Sequence, residues 1–76
     1  MSNDKALTLL QDGANQAEAR MINATSKDEF VFAAGQYSAM AAVFVMVTNN
    51  ITSEMASLAI NDRIDHIAKN KYGKGY

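Results

Sequence analysis

The chain contains no cysteine, so neither a disulfide nor a thiolate-ligated metal can hold it together. It contains no proline, which suits long helices and few structured loops. A single histidine, His66, argues against an imidazole-rich metal centre. With 76 residues the sequence describes one small domain, and folding at that size buries only ~60% of the unfolded surface. Domains this small usually rely on disulfides, metals or oligomerisation. The composition leaves oligomerisation, or docking on a larger partner.

Basic charge is scarce in most of the chain. Residues 1–62 carry Lys5, Arg20 and Lys27 against Asp4, Asp12, Glu18, Asp28, Glu29, Glu54 and Asp62. Residues 63–76 reverse the balance, with Arg63, Lys69, Lys71 and Lys74 against Asp65. An acidic body with a short basic tail is not the footprint of a nucleic-acid-binding face. The opening MSNDKALTLL lacks the basic and long apolar regions of a signal peptide, which implies a cytoplasmic protein. Asn23-Ala24-Thr25 and Asn50-Ile51-Thr52 match the glycosylation sequon, and without a secretory route both are chance matches.

What the sequence does have is one long uncharged stretch. Phe30 to Val47 runs eighteen residues without a charge and ends in nine consecutive apolar side chains, Ala39 to Val47. Phe30, Ala33, Tyr37, Met40, Phe44 and Val47 recur at alternating steps of three and four, the seam of a helix lying along a partner. Phe32, Val43, Val45 and Met46 lie off that seam, so the helix is apolar on more than one face. The run VFVMVT also favours a strand, with a hairpin turn at Asn49-Asn50 as the competing reading. The unbroken seam spacing favours helix.

The spacing elsewhere predicts two more helices. Leu7, Leu10, Ala14, Ala17, Met21 and Ala24 form one stripe over residues 3–23, started by Ser2 or Asn3 as cap. Gly13 weakens that helix by up to ~1 kcal/mol relative to alanine. Ser26 and Glu29 have the form of a capping box opening a second helix over 27–48, with Thr25 and Asp28 as another register. So short a connection makes the first two helices an antiparallel hairpin. Asn49-Asn50 either stops the second helix or sits within one continuous bent helix. A third helix over 51–72 presents Met55, Ala56, Ala59, Ile60, Ile64, Ile67 and Ala68, with Lys69 and Lys71 at its negative end and Gly73 as a left-handed stop. Residues 73–76 form a basic tail. The expectation is an all-α fold: an antiparallel helical hairpin plus a third helix in a single domain over 1–76, completed by oligomerisation or docking.

No motif carries chemistry. His66 shares a helix face with Asp62, a weak carboxylate partner, and lacks the further ligands a metal site needs. Ser38 lies mid-helix with no base or orienting acid beside it, and Gln36 and Tyr37 read as polar tips at a rim. Tyr72 and Tyr76 alternate with lysines in KNKYGKGY, an arrangement that can contact phosphates and stack on bases, but three lysines fit a solvated helix end better. Neither a catalytic residue, a cofactor site nor a small-molecule substrate is expected. As a membrane span, Phe30–Val47 falls just short of ~20 residues, and its flanks lack a lysine or arginine cluster. A holin-like single-span protein is the lesser reading.

The segment KDEFVFAAGQYSAMAAV, through Ser26, Glu29, Phe30, Gly35, Ala39 and Met40, resembles small α-helical structural and assembly proteins of tailed bacteriophages. The likeness spans roughly the first 45 residues, and those proteins carry more charge on the helix surface. It implies a non-enzymatic part made alongside a virion. The expected function is therefore contact. The protein would pack through its central helix into a homo-oligomer or larger assembly, with Phe32, Val43, Phe44, Val45 and Met46 as interface. A small phage-type inhibitor or ligand-sequestering protein is the alternative.

Overall fold

The computed structural model describes residues 2–73, without the side chains of Ser2 and Asn3. Three helices make up the fold: α1 (Ser2–Asn23), α2 (Lys27–Asn49) and α3 (Ser53–Tyr72). The described residues contain no strand. The helix bounds fall within two residues of those expected. The cap expected at Ser2 or Asn3 rests on side chains outside the described set, as do Lys74, Gly75 and Tyr76 of the basic tail.

α2 is the shared partner. It packs extensively on α1 and less so on α3, while α1 and α3 touch only sparingly. The result is an elongated body of 43 × 22 × 15 Å. Its radius of gyration is 12.9 Å, against about 11 Å for a compact chain of this length.

The α1–α2 turn is built by capping. Ser26 is the N-cap of α2, and its Oγ accepts the Glu29 N–H at 3.1 Å. The other half of the expected box is displaced by one residue. The Glu29 carboxylate accepts the Thr25 N–H at 3.1 Å and the Thr25 hydroxyl, rather than the N–H of Ser26. These Thr25 bonds hold the Glu29 carboxyl below its ordinary value of 4.5.

α2 does not continue into α3. Asn50 adopts the left-handed conformation (φ 54°, ψ 50°) that ends a helix, and Thr52, not Asn49 or Asn50, caps α3 by accepting the Met55 N–H at 3.2 Å. Two carbonyls of the penultimate turn of α2 also accept side-chain donors. Thr48 Oγ1 donates to Phe44 O at 2.7 Å, and Asn49 Nδ2 to Val45 O at 3.2 Å. Gly73 ends α3 at positive φ but with ψ −169°, so it is extended rather than left-handed helical, and its N–H reaches Lys69 O at 2.9 Å.

Two apolar clusters hold the helices together. Met21, Phe30, Ala33, Ile67 and Ala68 close the end near the α1–α2 turn. Ala14, Ala41 and Ile60 form the middle, with Tyr37, Met40, Val45 and Ile64 packed around them. The α1 stripe is therefore buried as expected through Ala14, Ala17 and Met21. Gly13 has a packing reason: a Cβ there would overlap Met40 Sδ. Polar contacts at the edges fasten the helices. Glu18 of α1 pairs with Arg63 of α3, Arg20 Nη1 donates to Gln36 Oε1 at 3.1 Å, and Lys71 Nζ donates to Ile22 O at 2.8 Å.

Removing the cap with Ser26→Ala should cost about 1 kcal/mol in urea unfolding. Thr25→Val should move the Glu29 carboxyl back up toward its ordinary range in an NMR titration. Because the folded value is lowered, the Glu29 contribution is present above the ordinary carboxyl range and lost as pH falls through the folded value. The variant's acid unfolding should lose that part of its pH dependence. Gly13→Ala should fall short of the ~1 kcal/mol that helix propensity alone would give, since Met40 has to move.

Candidate interaction surface

The expected seam of α2 is covered over most of its length and fails at its end. Phe30 and Ala33 are buried, while Tyr37, Met40 and Phe44 are half-buried. Val47, expected inside, is 58% exposed. Its neighbour across the hairpin is the first part of α1, where Leu7 and Leu10 are only half-buried. Between them lies a groove of about 380 Å³, lined by the apolar residues Ala6, Leu7, Leu10, Val43 and Val47.

The five residues expected at an interface divide into two groups. Phe32 is 69% and Val43 41% exposed. Phe44, Val45 and Met46 are half-buried, and Val45 packs onto the middle cluster around Ala14, Ala41 and Ile60. Both faces of α2 follow from its neighbours. α1 lies on the side of Met40, Gln36 and Ala33, and the core sits at Phe30 and Ala41. At 100° per residue the opposite side holds Phe32, Gly35, Ala39, Val43 and Met46. Gly35, Ala39 and Val43 on that side are all exposed. From Phe32 to Met46 nothing there carries a charge, and Asp28 continues the same line at the start of the helix.

Sequence spacing did not mark Val31, Leu9, Leu58 and Met55 as exposed, yet each is. A signal existed for two of them, since Leu9 and Leu58 are apolar residues that fall off the stripes of their own helices. Met55 and Ala59, assigned to the covered face of α3, stand outside it.

α2 is long and apolar enough to cross a membrane. An 18-residue window within it has a mean hydropathy of 1.8, yet only 22% of that window is buried. The core helix of a water-soluble bundle would be mostly covered.

Residues singled out for chemistry stand apart from one another. His66 is exposed and its Nε2 meets Asn70 Nδ2 at 3.2 Å, not Asp62. Among the described residues no group of three histidine or acidic side chains is placed to hold a metal ion. A shallow depression beside His66 includes Arg63 and Lys71, but both cations are engaged, by Glu18 and by Ile22 O. Ser38 is half-buried on α2. Tyr37 lies near the Glu18–Arg63 pair, and burial, then the Glu18 charge, push its phenol above the ordinary value. No protein-family model matches the chain, and no curated protein or solved structure is significantly similar to it.

Tyr72 belongs to the fold rather than to a binding tail. Its ring meets Phe30 edge-on at 5.5 Å between centroids, and the Lys27 and Lys71 Nζ atoms each lie 5.7 Å from the ring centre. Its hydroxyl is buried without a hydrogen-bond partner among the described residues. Tyr72→Phe should therefore be neutral or stabilising by up to ~1 kcal/mol, whereas Tyr72→Ala should cost about 3 kcal/mol in chemical denaturation.

Proposed function

We propose that the protein works by contact. It is a non-enzymatic interaction protein that packs through the bare side of α2 into a homo-oligomer or a larger assembly. The observation that carries this reading is an eighteen-residue uncharged helix segment whose outward side remains open after both neighbours have packed. Contiguous apolar surface of that kind on a small domain marks a docking site or an aggregation hazard. The chain exposes 5176 Å² in all, about 600 Å² more than a compact monomer of its mass should. That excess approaches the ~800 Å² each partner contributes to a standard interface.

The same bare side would suit a lipid phase, and the hydropathy of α2 favours that second reading. Charge placement favours protein. Glu18, Arg20 and Arg63 stand beside Gln36 and Tyr37, close to the midpoint of α2. Inserting α2 would carry them into hydrocarbon or strip away the helices that cover Phe30, Ala33 and Ala41. The resemblance of the Ser26–Met40 region to phage assembly proteins supports a virion as the larger particle. A small inhibitor of a host protein would be expected to offer a polar or charged docking face, whereas α2 carries no charge from Phe30 to Val47.

Light scattering with and without detergent tests the proposal. The protein should exceed its monomer mass of 8.2 kDa without detergent. Ala39→Glu, which places a charge in the middle of the bare side, should return it to monomer mass with helical circular dichroism unchanged. A monodisperse wild-type monomer would sink the proposal, and solubility only in detergent would favour the membrane.

A further inference from the structure

We infer that the occupant of the bare side of α2 is a second copy of this chain, laid antiparallel, with Phe32 of each copy seated in the apolar groove of the other. The inference rests on the contact reading above and specifies its partner and register.

A protruding ring and an unfilled groove lie on the same flank. Phe32 is 69% exposed and leans toward α1, lining a depression with Arg20, Asn23 and Ala24. The groove between Leu7, Leu10, Val43 and Val47 is also on the α1 flank, at the other end of the helix. Within one chain the two cannot meet. Two α2 helices packed face to face have two symmetric arrangements. A parallel pair turns the α1 flank of one copy onto the α3 flank of the other, so Phe32 meets no groove. An antiparallel pair keeps the two α1 flanks on one side and exchanges the helix ends, so each Phe32 arrives at the partner's groove.

The register follows without further assumption. Phe32 must reach the level between Val43 and Val47, which places the two-fold axis at Ala39. The centre of the contact is then Gly35, Ala39 and Val43. Space for close approach exists there, since a Cβ at Gly35 would meet nothing within 4 Å among the described residues. Charge agrees with the direction. α2 has Asp28 and Glu29 against Lys27 in its first turn, a net acidic end, and no basic residue in its last. A parallel pair sets the two acidic turns side by side. The antiparallel pair separates them by the length of the helix and opposes the helix dipoles.

The chain has no cysteine, so a single spin label can be placed at one introduced residue. Val31→Cys lies on the exposed edge of α2, outside the groove and its ring. The antiparallel register separates the two labels by roughly 24 Å along the helix axis, whereas a parallel pair holds them near ~10 Å. Phe32→Ala, at an exposed position, should weaken dimerisation at least tenfold by sedimentation while leaving the thermal unfolding of the isolated chain nearly unchanged. A dimer with closely spaced Val31 labels, or one indifferent to Phe32→Ala, overturns this arrangement and leaves α2-mediated contact standing. A wild-type monomer at every concentration overturns both.

Discussion

Two helices cannot enclose a third, and that geometric limit organises the molecule. A helix is about 10 Å across, and each packed neighbour covers a sector of its circumference. α1 and α3 together cover the side of α2 that runs from Met40 through Phe30 to Val45. On the side from Gly35 through Ala39 to Val43 those residues are exposed. Most small helical domains answer this limit by making the outer side polar. Here it is as apolar as the inner one, so the fold and the docking face are two sides of one element.

Much of this was legible in the sequence because its signals are local and periodic. The α1 stripe, the seam from Phe30 to Phe44, the short capped turn and the α3 positions Ala56, Ile60, Ile67 and Ala68 follow from helical pitch. Pitch does not say where a covering helix runs out of reach, and that is why Val47 was assigned to the inside. Nor does it set how far α3 turns its first half, so Met55 and Ala59 were placed on the covered face. The capping shift from Ser26 to Thr25 depends on the conformation of one carboxylate, and a pattern such as Ser-x-x-Glu does not encode that.

The bare side of α2 was legible in kind but not in membership. An uncharged run longer than one stripe announces surplus apolar surface, and Phe32 and Val43 are part of that surplus. Val45 is not, because the α3 side of α2 rises to meet it at Ile60. The groove at Leu7 and Leu10 had no sequence signal at all. It exists because Gly13 lets Met40 in close at mid-helix while Ala6 leaves room beyond.

Lys71 reaching across to the Ile22 carbonyl has a consequence for how the molecule yields. α1 ends there: Met21 O takes the Ala24 N–H, and the ammonium from the final turn of α3 supplies the donor for Ile22 O. With Tyr72 seated on Phe30 beside it, that end is closed by all three helices at once. The far end, around Leu7 and Val47, is held by two half-buried leucines. Opening should therefore begin there and travel inward, like a clasp whose hinge is the last turn of α3, with amide exchange slowest at Met21 and fastest near Lys5.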